Sequence, residues 1–181
     1  RAKNVNFGIP YGADYPILAK QSGCTLAEAK LAIEAHRRVY PGIWAWRARQ
    51  ISQSRDRGYT ETLFGRRRYL PDLAHNDLSR RARAERQAVN HPIQGLVGDI
   101  IKYAAVALAP HAEQAGGRLV GQIHDALIYS VPREQASQFR QKILEVCETA
   151  TTLDPVAIRM AAGIGPTWAA AEEDSKRRGD E

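Results

Sequence analysis

Three side chains near the start of the chain, Lys3, Phe7 and Tyr11, repeat at i, i+4 and i+8. On a helix at ~100° per residue they climb one face with a drift of only about 80°. An ammonium followed by two rings suits a flat, charged ligand. The cation addresses a polyphosphate as a compact point charge, and the rings pack against a sugar and a base. A nucleoside triphosphate has that layout, although the same spacing also describes an ordinary core stripe. Arg86, Asn90 and Gln94 form a second triplet with the same repeat, placing three hydrogen-bond donors on one helical side. The duplex minor groove shows acceptors at the same places for every correctly paired base, so such donors sense pairing geometry without reading sequence. A solvated polar face is the alternative reading. The third candidate is Asp125, between the β-type runs Arg118 to Gln122 and Ala126 to Val131. A carboxylate at a rigid hairpin tip suits a hard cation bound through oxygen; otherwise it is a turn aspartate bonding its own backbone.

The partner class follows from charge. The 181 residues carry a net charge of +6, with the excess mostly arginine, which points to nucleic acid. Arg66, Arg67 and Arg68, with Arg55, Arg57, Arg80, Arg81, Arg83 and Arg86, make a basic belt suited to phosphate contact. Cys24 and Cys147 lie far apart with no CxxC, so neither a zinc site nor a disulfide framework is indicated, and a reducing cytoplasm is the simplest home. No apolar run approaches the ~18 residues of a membrane span, and the start is unlike a signal peptide.

Local signals then predict the elements that must position these groups. Pro10 is expected to kink or end the first helix near Phe7 to Ile9. Ala13 to Gly23 is short and broken by Pro16 and Gly23. Thr25 and Glu28 form a capping box, so a helix should start there and bury Leu26, Ala29, Leu31, Ile33 and Val39, with His36 solvated near its end. Pro41 stops that helix and opens the next, which runs to Gly58 with its tryptophans packed inward. Tyr59 to Leu73 reads as a hairpin around Phe64-Gly65. A long helical pattern runs from Asp77 towards Pro110, with Pro92 as an interior break. A hairpin around Ile123-His124-Asp125 follows. An amphipathic helix from Pro132 buries Ala136, Phe139, Ile143, Leu144 and Cys147, Pro155 to Ala161 makes a strand, and the charged end from Glu172 is disordered.

The strings KNVNFGIPYG, TLFGRRRYLPD, AERQAVNHPIQG and GQIHDALIYSV carry a resemblance to family A DNA polymerases, the bacterial DNA polymerase I group. It covers Arg1 to about Ala171. It implies an α+β fold: a mostly helical fingers portion over residues 1–75, then an antiparallel-sheet palm portion over 76–181 of a right-hand polymerase, with 171–181 as a tail. By resemblance, Lys3 meets the triphosphate, Phe7 lies by the sugar and Tyr11 closes the pocket for the new base pair. Arg86, Asn90 and Gln94 would track primer–template DNA, Asp125 would hold catalytic magnesium, and His124 would sit near the primer end. Three departures stand out. The family's arginine pair three and four residues before the lysine is absent, because Arg1 lies two before it. Ala126 replaces the glutamate that commonly follows the aspartate. The family's second catalytic aspartate lies on a strand before the nucleotide helix, so the chain is expected to be truncated ahead of it. The implied function is template-directed DNA synthesis, joining deoxynucleoside triphosphates to a primer 3′ end by two-metal phosphoryl transfer, in partnership with the missing N-terminal part. A non-catalytic primer–template binding relic or split subunit is the alternative.

Overall fold

A computed structural model describes residues 6, 8–150, 153, 156, 158 and 160–179. Lys3 and Phe7 lie outside the described residues. The architecture is mostly helical with two small antiparallel sheets, an α+β fold. By its contacts the chain divides into two units, Arg1–Leu96 and Val97–Glu181.

In the first unit, Asn6 and Gly8 are helical and the chain turns over 9–12, so the helical path ends where Pro10 removes a donor. Helix α1 follows over Tyr15–Ser22, capped by Asp14, whose carboxylate accepts from Ile17 N at 3.0 Å. Pro16 therefore starts this segment and does not break it, because a first-turn amide has no intrahelical partner to lose. Helix α2 (Leu26–Val39) begins at the expected capping box, with Thr25 and Glu28 bonded reciprocally. Its buried side departs from the apolar pattern. Ala29 is fully buried, but Leu26, Leu31 and Val39 are 58%, 63% and 66% exposed. His36, expected in solvent, is buried: it stacks near Tyr40 and accepts a hydrogen bond from Trp44 Nε1 at 3.2 Å. Helix α3 (Pro41–Arg57) ends at Gly58, whose φ of 77° is a left-handed cap. Ile9, Leu18, Ala19 and Ala29 form one core, with Ile33 and Trp44 packed on it.

Strands β1 (Tyr59–Glu61) and β2 (Arg67–Tyr69) make the expected hairpin, in register Thr60 to Arg68. A 3-10 turn, Pro71–Ala74, leads to helix α4, Leu78–Gln114. This helix is continuous through Pro92, where an interior break was expected. A proline at 92 cannot donate to the carbonyl of residue 88. Thr60 Oγ1 donates to that Ala88 carbonyl instead, at 3.1 Å, in a buried setting. Leu70, Leu73, Ala84 and Ala88 form the core around this junction.

In the second unit, β3 (Arg118–Ile123) pairs antiparallel with β4 (Ala126–Ser130). After the 3-10 turn Arg133–Gln135, helix α5 (Ala136–Ala150) buries Phe139 and Cys147 as its pattern predicts. Ala104, Leu108 and Cys147 form the core, with Leu127, Tyr129 and Ile143 against it. α4 is also long and apolar enough to cross a membrane by length and composition alone, although Asp99 and Lys102 interrupt its apolar run. Ala104 and Leu108 are buried in the core, while Ile93, Val97 and Val106 on the same helix are exposed. The strand expected over Pro155 to Ala161 falls partly outside the described residues; within them, Val156 only bridges Leu153, and Met160 and Ala161 are in no strand. The charged end is a further correction. It forms helix α6, Trp168–Gly179, because Glu172, Glu173 and Asp174 each pair with a cation four residues on, in the orientation that stabilises a helix. Asp174 also accepts from Ile164 N at 2.9 Å. A Cβ on Gly163 would lie 2.0 Å from the Ala171 carbonyl oxygen, so only glycine fits beside α6 there.

Candidate nucleotide and nucleic-acid site

Tyr11 and Gly12 sit in the turn that follows the helical residues Asn6 and Gly8. Gly12 N donates to Ile9 O at 3.0 Å, and Ala13 N to Gly8 O at 2.9 Å. Gly12 has a φ of 90°, and a Cβ there would come within 2.8 Å of Arg86 Cγ. Glycine is thus required twice, for the backbone conformation and for the close approach of the arginine stem. Ile9 points into the core, while the Tyr11 ring is 37% exposed.

α4 brings the second triplet to this turn. Gln94 Nε2 donates to Tyr11 Oη at 2.9 Å, and Asn90 Nδ2 lies 3.4 Å from the Tyr11 carbonyl oxygen. That carbonyl can only accept, which orients the Asn90 amide. Asn90 Oδ1 is buried with no hydrogen-bond partner among the described residues. An unpaired buried acceptor costs ~1–3 kcal/mol. An open depression of about 570 Å³ is lined by Gly8, Tyr11, Gly12, Ile17, Gln21 and Arg86. The structure therefore joins Tyr11 with Arg86, Asn90 and Gln94, whose spacing alone also fits a solvated helix face.

The three consecutive arginines have separate surroundings. Arg66 donates through its guanidinium to the Gly95 carbonyl, and its own carbonyl faces His91 Nε2 at 3.2 Å. A Cβ on Gly95 would lie 2.7 Å from Thr62 Cγ2, so this glycine admits the loop to α4. Arg67 reaches Glu61 at 3.4 Å and lies over the Tyr59 ring, 4.6 Å from its centroid. The Arg68 side chain is exposed and makes no ion pair or hydrogen bond among the described residues, although its backbone pairs with Thr60. Arg55 is paired with Glu85, and Arg80 with Asp72 at 2.8 Å. Much of the belt is thus already neutralised by acidic neighbours.

Asp125 occupies the second place of the two-residue tip between Ile123 and Ala126 in the second unit. Both tip residues are exposed. His124 has a φ of 52°, a conformation that costs a side-chain-bearing residue free energy, while Gln122 Nε2 lies 3.3 Å from its carbonyl oxygen. The tip presents the Asp125 carboxylate to solvent, and it is an oxygen donor of the kind a hard cation takes. Among the described residues no cluster of three His, Cys, Asp or Glu side chains is close enough to hold a metal, so Asp125 fits as one ligand and not as a complete set.

Residue spacing missed Arg47, which donates to the Ile9 carbonyl, Thr60, which bonds the hairpin to α4, and Thr62, whose hydroxyl accepts from Arg66 N inside the hairpin. The nearest sequence signal for Arg47 is its place three residues after Trp44, one helical turn along α3.

The backbone matches the polymerase domain of Pol1 from M. smegmatis, described in complex with DNA primer-template and dNTP, with a TM-score of 0.86 and 35% identity over 94% of this chain and 30% of that one. Residues 1–170 match the model of DNA polymerase family A, and the chain belongs to that family. It is 42% identical to the thermostable DNA polymerase I of Thermus filiformis over 96% of its own length, and 39% identical to DNA polymerase I of Deinococcus radiodurans over 92%. The chain spans about a fifth of the length of these curated relatives.

Proposed function

We propose that this chain supplies the nucleotide-facing and primer–template-facing surfaces for template-directed DNA synthesis, with residues 1–75 as a fingers portion and 76–181 as a palm portion. The bond from Gln94 to the Tyr11 hydroxyl supports this reading most directly. It links the aromatic end of the nucleotide strip to the donor face on α4. In this reading Lys3 holds the triphosphate of an incoming deoxynucleotide, Phe7 packs on its sugar, and the exposed Tyr11 ring covers the nascent base pair. Arg86, Asn90 and Gln94 test that pair from the minor groove. A mispaired base displaces their acceptors, leaving donors unsatisfied and binding weaker. Arg68 is available for phosphate, whereas Arg66 and Arg67 must exchange the Gly95 carbonyl and Glu61 to reach it. His124 lies beside the primer end.

Asp125 would hold magnesium, which when bound stabilises charge on the transferring phosphoryl group. A second carboxylate and the thumb come, on this proposal, from a preceding part of the polymerase, and the setting is a reducing cytoplasm. One observation favours a second reading, a primer–template binding subunit without chemistry of its own: Asp125 is followed by Ala126 and has no partner cluster among the described residues.

The test is fluorescence anisotropy on labelled primer–template together with an extension assay. The 181-residue chain should bind with an affinity that falls with salt, by about 0.9 log units per log unit for each phosphate neutralised. Alone with magnesium it should not extend. Adding the upstream part of a family A polymerase should give extension that Asp125→Asn abolishes. Failure to bind primer–template at low salt would overturn the proposal. Extension by the chain alone would remove the requirement for a second part. Binding that never yields extension with any upstream part would favour the subunit reading.

A further inference from the structure

We infer that Arg47 is a positioning residue that clamps the Tyr11 turn and thereby sets nucleotide affinity, an inference that rests on the nucleotide reading of Tyr11. Arg47 projects from α3, 38 positions from its target, and donates through Nη1 to the Ile9 carbonyl. That carbonyl closes the turn by accepting Gly12 N. It belongs to the end of a helical path, where carbonyls lack intrahelical donors and a cation is favoured by the helix dipole. The other terminal nitrogen, Nη2, lies 3.5 Å from where a Cβ on Gly12 would stand. One guanidinium thus bonds the main chain two residues before Tyr11 and faces the side of Gly12 on which a Cβ would stand.

The clamp is itself braced. The Arg47 guanidinium lies 5.0 Å from the Trp44 ring centroid, and Arg37 lies 4.4 Å from the same centroid. Trp44 is held in turn by its hydrogen bond to buried His36 Nδ1. Burial, and the neighbouring charge of Arg37, lower the Arg47 pKa, as expected for a cation kept out of water by its packing. The chain of contacts runs from His36 through Trp44 and Arg47 to Ile9, while Arg86 packs on Gly12 and Gln94 holds the Tyr11 hydroxyl. The turn is gripped at the Ile9 carbonyl from α3, and Tyr11 at its carbonyl and its hydroxyl from α4.

Two readouts on the 181-residue chain separate this inference from the reading beneath it. Amide hydrogen exchange measures the turn directly. Arg47→Met, which keeps the stem and removes the donors, should speed exchange of Gly12 and Ala13 at least tenfold while amides in α4 stay within twofold. Arg47→Lys should recover part of the protection. Titration with deoxythymidine triphosphate should show affinity about tenfold weaker for Arg47→Met, with primer–template affinity within twofold of the parent. Unchanged exchange at Gly12 and Ala13, or a uniform increase across the first unit, would overturn the clamp. Loosened exchange with unchanged nucleotide affinity would overturn its link to binding. If the parent chain takes up no nucleotide, the proposed function fails and so does that link, while the exchange result alone decides whether Arg47 holds the turn.

Discussion

The continuity of α4 through Pro92 predicts a specific non-additive stability effect. Thr60 is 3% exposed and Ala88 fully buried, and Thr60 Oγ1 supplies the hydrogen bond that residue 92 cannot. Thr60→Val keeps shape and β-branching but leaves the Ala88 carbonyl without this donor. An orphaned buried acceptor costs ~1–3 kcal/mol, a shift of roughly 2–4 °C in melting temperature per kcal/mol for a chain of this size. Pro92→Ala restores an amide at position 92 that can bond the same carbonyl. In that background Thr60→Val should cost less by about 1 kcal/mol or more, a coupling within the range measured for residues that share a partner. Urea unfolding followed by tryptophan fluorescence gives all four corners of the cycle, with Trp44 and Trp46 reporting on the first unit. Equal costs of Thr60→Val in both backgrounds would refute the reasoning, because the hydroxyl would then not be compensating for the proline.

Other expectations follow from single sites. Lys3→Ala should weaken nucleotide use about ten- to a hundredfold, the ~1.5–3 kcal/mol of a charge-assisted contact, with primer–template binding kept; unchanged nucleotide affinity and rate would remove Lys3 from that role. The pKa of His36 is lowered by burial and then by Arg47, so the unfolded chain binds its proton first as pH falls. Stability from His36 should thus be complete above the unfolded value of ~6.5 and decline as pH drops from there through the folded value. His36→Phe should flatten urea midpoints between pH 7 and pH 5; an unaltered pH slope would contradict this. The pKa of Asp174 is lowered by Ile164 N–H and then by Arg178, so its contribution is present above ~3.9 and lost as pH falls through the lower folded value. Circular dichroism from pH 5 to pH 2 should show α6 loosening, and Asp174→Asn should show it already at pH 5.

Much was legible where a signal and its effect lie within a few residues. The Thr25 and Glu28 side chains bond each other's backbone, so a capping box is readable as soon as both are seen. Gly58 ends α3 because the left-handed conformation is open to glycine, and Pro10 ends the first helical path by lacking a donor. The hairpin around His124 and Asp125 follows from the β-rich runs that flank it, with Ile123, read as part of the tip, instead ending β3. The motif strings, quoted whole, were sufficient for the family, because residue identities at fixed spacing are retained when backbone geometry is retained.

Tertiary structure decided what depends on a partner remote in the chain. Leu26, Leu31 and Val39 fit the helical period yet face outward, while His36 is buried because Trp44 supplies a donor and a ring. Periodicity states which residues share a face, not which face meets the rest of the protein. Pro92 is tolerated because a threonine 32 positions earlier arrives at Ala88, and nothing local to the proline announces it. The α6 tail was misread for the converse reason: charge composition argued for disorder, while four-residue pairing and the Ile164 contact favour a helix. The Tyr11 turn shows the division most clearly. Its sequence determined an aromatic followed by a glycine; only the fold brought Gln94, 83 positions away, to the hydroxyl and Arg47 to the Ile9 carbonyl. Hydrogen bonds act over about 3 Å in space, and separation along the chain places no limit on which groups can come that close.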